Sequence, residues 1–440
     1  MNLIKYGEKF FDELEIHMLS KREISASAEL NQISSAVSSD INITVVRGVK
    51  DGRMGISIVD SNEDSKIKEG IEEAYKLSKH NIKDENWPGF PDAQNYREHN
   101  SKDLEIKDAD HFVNIVALSL KHLSEKRPNA VVVGAEAGAA KFRSVVMNSR
   151  GVDVEQSDFL SYFMLMLIER ENGKVTPSIF DMDVQKEQNL ETDKVIESCI
   201  QKLKWAGNVK KANNEEATLI MEPFAMAEIL NYSLFPAFSG ERKVKGTSVL
   251  VDKIGERVMS DKVSIYDDPF HNMSIYKVVA DDEGVATQTN KIVERGKFRG
   301  FLWNHYWASV AGVESTGNAS RSFRTGAVGI GAHNMVMDGG AKKLEEIISE
   351  MDKGYVVSLF QGAHSSNPDT GSISAVANPA FVVEDGEIKG STVFMVSGNI
   401  YDMMQNVVEV SSEQKAVYMM GRGIYPYVAF ENVKIAAVSR

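Results

Sequence analysis

The chain has one cysteine, Cys199, among 440 residues. A single cysteine excludes an intrachain disulfide framework and any Cys-x-x-Cys metal site. Cys199 lies in Val195-Ile196-Glu197-Ser198-Cys199-Ile200, an apolar helical stripe, and reads as a small core residue rather than a reactive thiol. Long apolar runs are also missing. The longest, residues 159–168, is broken by Ser161 and is too short to cross a bilayer. Met1 to Lys9 lack the apolar segment and cleavage site of a secretory signal, so a cytoplasmic protein without membrane partners is expected. Positive charge is in deficit. The net charge of -13 argues against a general nucleic-acid or membrane-surface binder. No two histidines stand at His-x-x-x-His or His-x-His spacing, and no Gly-x-Ser-x-Gly elbow is present. Gly326-Ala327-Val328-Gly329-Ile330-Gly331 matches neither a dinucleotide fingerprint nor a P-loop, and reads as a flexible or close-approach loop.

What remains is an ordinary globular composition, 42% hydrophobic and 26% charged, ample for two or three domains with large cores. Residues 1–20 read as a helix from the spacing of Leu3, Phe10, Phe11 and Leu14. Glu15 to Ser20, Ser25 to Leu30 and Ser35 to Val46 alternate as strands, with Asp51-Gly52-Arg53 turning into a further strand over 54–59. A helix follows over 64–79, then an irregular connector over 81–101, a helix over 108–126, strands within 129–169, and a helix around 189–204. Beyond Ala217 the texture is mostly short β runs, with long helices at 223–235 and 342–351. The expected fold is α+β: antiparallel sheet flanked by helices in an N-terminal unit (1–100) and a central unit (101–212), then a mainly β unit (213–440), a sandwich or distorted barrel.

The second half carries a set of phrases in fixed order: Tyr266-Asp267-Asp268-Pro269, Asp281-Asp282-Glu283-Gly284-Val285, Ser315-Thr316-Gly317-Asn318-Ala319, Thr370-Gly371-Ser372-Ile373-Ser374, and Ser397-Gly398-Asn399-Ile400-Tyr401-Asp402. Arg47-Gly48, Asp51 to Gly55 and Met147 to Gly151 extend the set into the first half. In these the chain resembles the TldD/PmbA family, often labelled modulators of DNA gyrase. The resemblance implies two cooperating branches: a zinc protease subunit with a His-Glu-x-x-x-His helix, and a PmbA branch, also called TldE, without that metal set. At those three positions this chain has Met221, Glu222 and Met226, which resembles the PmbA/TldE branch. The implied role is a non-catalytic subunit, with no cofactor of its own. It would pair with a TldD-like metal-bearing relative in cleaving unfolded or small peptides, and would be a homodimer when alone.

Chemistry supports the same reading independently. Hydrolytic zinc takes imidazole, thiolate or carboxylate, whereas a thioether is soft and uncharged. Positions five apart sit about 140° apart on a regular helix, so Met221 and Met226 converge only at a helix start, where Pro223 belongs. Without a metal, Glu222 has no activated water, and the two methionines read as core fillers.

Other residues keep two readings. Asp267, Asp268, Asp281, Asp282 and Glu283 either offer oxygen ligands to Ca²⁺ or Mg²⁺ and a separate hydrolytic site, or cap turns. The loops Ser315-Thr316-Gly317-Asn318 and Ser397-Gly398-Asn399 either admit a peptide backbone or set turn geometry. Trp303, His305, Tyr306 and Trp307 read as core or oligomer interface. The alternative function is a homodimeric peptide- or protein-binding module without protease activity.

Overall fold

The computed structural model describes residues 3–98, 104–171, 173–419 and 421–438. The extreme ends of the chain and the last part of the expected 81–101 connector lie outside those residues. The first lobe runs α1 (Leu3–Gly7), β1 (Glu13–Glu29), β2 (Gln32–Lys50), β3 (Arg53–Val59), α2 (Asp64–Ser78), α3 (Ala109–Lys126), β4 (Ala130–Asn148), β5 (Asp153–Glu171), β6 (Lys174–Val175), β7 (Ile179–Gln185) and α4 (Thr192–Ala206). Its strands form one antiparallel sheet in the order β3-β2-β1-β4-β5-β6, with β7 also on β5.

The helix expected over 1–20 is confined to Leu3–Gly7. Phe11 and Leu14 do share an apolar cluster with Leu3, Ile67 and Ile71, but Phe11 lies just ahead of β1 and Leu14 at the start of that strand rather than in a helix. Extended backbone wins there because Glu13 already faces Val49 of β2. The segments expected as two strands within 15–30 are one 17-residue strand, β1. Continuous pairing with β2 on one side and β4 on the other carries it through the polar stretch Ser20 to Glu23. Leu30 and Asn31 turn the chain at φ 49° and 63°. The helix α2 lies hard against the sheet: a side chain at Gly55 would stand 1.8 Å from the Ala74 carbonyl oxygen. On the other side of the lobe, Phe112 and Val116 of α3 and Ile196 and Cys199 of α4 share a core with Phe163 of β5.

The second lobe begins with β8 (Glu215–Met221), α5 (Pro223–Ser233) and α6 (Gly240–Val244). Short strands follow: β9 (Ile265–Asp267), β10 (Asn290–Glu294) and β11 (Lys297–Phe298), then α7 (His305–Ala311), β12 (Ala319–Arg321), β13 (Val328–Ile330) and β14 (Met335–Met337). The chain ends α8 (Leu344–Ser349), β15 (Lys353–Val357), β16 (Phe360–Gln361), β17 (Ser372–Glu384), β18 (Glu387–Asn399), α9 (Ile400–Gln405), β19 (Val407–Val417) and β20 (Gly423–Ala437). The helix expected over 342–351 is thus only six residues long, because β15 takes over at Lys353. Half of the glycine-rich loop of 326–331 is strand β13. The strands β20-β18-β17-β15-β8 close on themselves, since β8 pairs with β15 on one edge and with β20 on the other. This is the distorted barrel of the sequence reading. The helix α5 is apolar nearly all round and buried along most of its length, as expected of a helix with strands on several sides.

Candidate functional site

Met221 ends β8, Glu222 is the residue before the helix, and Pro223 opens α5. Proline suits this position because its missing N–H is one the helix start would leave unpaired. The Glu222 N–H donates to Val357 O at 2.9 Å, tying the junction to β15, and its carbonyl accepts the first helical bond from Met226 N at 2.9 Å. Met221 and Met226 are fully buried in one core with Phe224, Val357 and Ile229.

The Glu222 carboxylate is buried too, and it is already occupied. Lys202 Nζ, from α4 of the first lobe, stands 2.6 Å from Glu222 Oε2, with the two residues only 7% and 4% exposed. Asp181 of β7 lies beside them and accepts from Lys415 and from Ser198 Oγ. Burial would lower the Lys202 ammonium; Glu222 and Asp181 override it and hold it above its ordinary range. Burial, with Asp181 adding to it, pushes the Cys199 thiol up, so it is no nucleophile. These residues do not fit a hydrolytic metal. Two thioethers offer soft, neutral donors, and an ammonium sits against the carboxylate. No group of three His, Cys, Asp or Glu among the described residues is arranged to hold one elsewhere. Lys202 was the residue sequence reasoning missed. Its signal was positional: Val195, Cys199, Lys202 and Ala206 fall on one helical stripe, so a lysine there is buried and needs a partner.

The acidic phrases serve their own backbone. Asp267 accepts from the N–H groups of His333 and Asn334 at 2.9 and 2.8 Å and from the Asn318 side chain at 2.6 Å. Asp268 accepts from Phe270 N at 3.0 Å. Asp281 accepts three N–H groups, from Glu283, Val285 and Ala319, at 2.9–3.0 Å. Burial and the nearby Glu283 carboxylate raise the Asp281 carboxyl well above its usual range.

Asp282 and Glu283 join a charge network across the two lobes. Arg47 of β2 donates to Glu15 of β1 at 2.9 Å and to Glu283 at 2.8 Å. Arg321 of β12 donates to Glu15 at 2.5 Å and to His17 Nδ1 at 3.0 Å, and its own N–H donates to Asp282 at 2.7 Å. Burial would raise the Glu15 carboxyl, but Arg321 and Arg47 hold it down to about 2. Burial lowers His17 to about 4, against the pull of Asp282. This network fastens the lobes together; its members come from positions up to 306 apart, which no local spacing reveals.

Residues 214–437 match the family model described as the PmbA/TldA metallopeptidase C-terminal domain. The chain belongs to the PmbA/TldD family. It is similar to the crystal structure of TldE from Thermococcus kodakarensis, at 47% identity and a TM-score of 0.97, with 99% of each chain covered. It is 28% identical over 435 residues, 98% of each chain, to an uncharacterised protein of Methanocaldococcus jannaschii. To the metalloprotease PmbA homolog of Haemophilus influenzae it is 25% identical over 436 residues, 90% of each chain. Within the PmbA/TldD family this chain is of the PmbA/TldE type that lacks the metal motif.

In this PmbA/TldD fold the two loops singled out from sequence are held by their own bonds. Asn318 is buried, and its amide donates to Asp267 and to Gly331 O at 3.0 Å. Thr316 Oγ1 accepts from Trp303 N at 2.6 Å. Gly317 takes φ 70°, and a side chain there would meet the Ala286 carbonyl oxygen at 2.6 Å. In the other loop Ser397 faces Ser374 in the ladder, Gly398 is exposed, and Asn399 caps α9 by accepting from Tyr401 N at 2.9 Å. Neither loop lines any of three cavities, two of them walled by both lobes. One, of about 370 Å³, has Trp87, Tyr306 and Trp307 with Asp84 and Glu283. The next, of about 590 Å³, shares Glu241 with it and runs along Gly329 to Ala332. A third, of about 450 Å³, meets the second at Arg422 and holds Phe142, Tyr276 and Tyr418. The strand β13 runs between the first two and, among the described residues, pairs with β12 on one side and with no strand on the other. Of the aromatic group, Trp303 is core, whereas Tyr306 and Trp307 face a cavity.

Proposed function

We propose that this chain is the non-catalytic subunit of a PmbA/TldD-type protease assembly, helping to hold unfolded or small peptides that a metal-bearing relative cleaves. The observation that carries the reading is the Lys202–Glu222 pair at 2.6 Å. An ammonium stands against the carboxylate that would otherwise serve as base, and the two motif positions that would carry imidazoles hold thioethers that bind hydrolytic zinc poorly. The open edge of β13, flanked by cavities, supports peptide holding. An extended peptide can add there through main-chain bonds, which makes affinity tolerant of sequence. The loop Ser315–Asn318 supports that role through Asn318, which holds Gly331 in the wall of the larger cavity. The absence, among the described residues, of a helix long and apolar enough to cross a membrane accords with work in the cytoplasm.

The test is a reconstitution. The purified chain, without added metal, should contain far less than one zinc per chain and should not cleave an unstructured peptide. Mixed with a relative carrying His-Glu-x-x-x-His, it should raise that relative's peptidase activity. Stoichiometric zinc with chelator-sensitive cleavage by this chain alone overturns the reading. A second reading, a homodimer when the chain is alone, is favoured by the outer edge of β2 ahead of Thr44, which pairs with no strand among the described residues.

A further inference from the structure

We propose that residues 36–42 of β2 are a self-pairing edge that docks a second copy of this chain, antiparallel, about a twofold axis at Ser39. The proposal rests on the homodimer reading and assigns the place where the two copies meet. Three features of β2 lead to it.

The first is an edge without a partner. β2 spans Gln32–Lys50, but β3 covers only Thr44 to Lys50. From Asn42 back to the hairpin turn the outer side of β2 pairs with no other strand among the described residues. Natural edges are blunted by lysine, proline or a bulge. Ser35-Ala36-Val37-Ser38-Ser39-Asp40-Ile41-Asn42-Ile43 has one charge, no lysine and no proline. The one register shift lies before it, where Ser34 is the extra residue between the pairs Ser27–Ser35 and Ala28–Ile33. At the other end the chain leaving β3 reaches Asn42, with Asn62 Nδ2 donating to Asn42 Oδ1 at 3.3 Å. The open, regular stretch is therefore centred on Ser39.

The second is which backbone groups point outward. Lys50 and Arg53 flank the two-residue turn Asp51–Gly52, and such a flanking pair is hydrogen-bonded. Register is unbroken from Lys50 to Thr44 against β3 and from Val49 to Ser35 against β1. The alternation therefore carries down the strand: even-numbered residues bond toward β3, odd-numbered ones toward β1. At the open edge Ala36, Ser38, Asp40 and Asn42 present N–H and C=O to solvent. A twofold at Ser39 matches them to one another. Ser38 faces Asp40 of the second copy, and Ala36 faces its Asn42, as hydrogen-bonded pairs.

The third is side-chain complementarity. Val37 and Ile41 lie on the same face as Ser39 and are 50% and 40% exposed. The Ser39 axis sets Val37 opposite Ile41 of the second copy, twice, in the non-hydrogen-bonded positions where side chains approach most closely. An axis one residue further on sets Asp40 against its own copy. One residue earlier sets Val37 against Ser39 and Ile41 against Ser35. Of these three registers, only the one at Ser39 sets Val37 opposite Ile41 with no like charges facing, and axes at Val37 or Ile41 carry the pairing off the open stretch, into the register shift at Ser34 or past Asn42. Such pairing fuses the two first-lobe sheets into one.

The experiment is disulfide trapping in the full chain. Across a non-hydrogen-bonded pair the Cα atoms stand about 4.5 Å apart, within disulfide reach. Ser39→Cys adds one accessible thiol to a chain whose Cys199 is buried. Mild oxidation should convert most of the S39C protein to a covalent dimer. Leu30→Cys, at the exposed hairpin tip and far from the axis, should stay largely uncrosslinked. Light scattering on the unmodified chain should give the mass of a dimer, and Ser38→Lys or Val37→Lys should shift it toward the monomer with unchanged circular dichroism. A dimer in which S39C does not cross-link, or cross-links no better than L30C, overturns the seam and leaves the homodimer reading standing. A monomer that cross-links through S39C only after a metal-bearing relative is added overturns both the second-copy seam and the homodimer reading.

Discussion

Lys202 Nζ and Glu222 Oε2 meet at 2.6 Å although one belongs to α4 of the first lobe and the other to the β8–α5 junction of the second. Removing one partner of such a pair strands a charge away from water. Lys202→Met is expected to cost about 3–5 kcal/mol of unfolding free energy. Replacing both, as K202M/E222M, should recover most of it, since a buried pair and an apolar substitute of similar size are often close in energy. Urea unfolding midpoints of the two variants and the parent check this.

The same ammonium governs attempts to install a metal. Met221→His with Met226→His restores imidazoles but leaves Lys202 beside Glu222. That double variant should bind zinc about tenfold or more weakly than the triple variant that adds Lys202→Ala. Zinc titration with a competing chelator separates the two; equal affinities would show that Lys202 is irrelevant to the site.

His17 makes the lobe junction sensitive to acid. Its folded value of about 4 lies below the ordinary 6.5 because burial disfavours the imidazolium. Between those values the unfolded chain binds the extra proton, so stability is full above pH 6.5 and is lost as pH falls toward 4. His17→Gln should flatten that part of the pH–stability curve by about 2–3 kcal/mol, read from denaturation at pH 4.5 and pH 7.5.

Glu228, on the buried helix α5, works in the opposite direction. Burial raises its carboxyl to about 7, opposed by a hydrogen bond from Phe360 N at 3.2 Å. The folded state binds the proton more tightly, so this contribution is complete below pH 4.5 and is lost as pH rises through 7. Glu228→Gln should be more stable than the parent at pH 8 by about 1–2 kcal/mol and indistinguishable from it near pH 4.5. Thermal melts at the two pH values decide.

The readable parts of this chain were those set by local pattern. Ile67, Ile71 and Ala74 announce α2, and Asp51-Gly52 is a hairpin turn. The absent imidazoles at Met221 and Met226 could be read residue by residue. Other features depended on partners distant in sequence. Phe10, Phe11 and Leu14 recur at helical spacing, yet the pairing of Glu13 with Val49 ends the helix early and puts Leu14 in the sheet. Ser20 to Glu23 look like a break and are bridged because both neighbouring strands continue. Arg321 and Glu15 carry no mutual signal, since their contact exists only once the lobes meet.

The direct pairing of β1 with β4 has a practical consequence. Residues from Glu15 to Ala28 each face a residue of β4, although α2, the connector and α3 intervene. A nick between α2 and α3 would therefore cut the covalent thread without freeing either piece. Fragments expressed separately, divided there, should find each other and rebuild the lobe, which makes this chain a candidate for split-protein complementation.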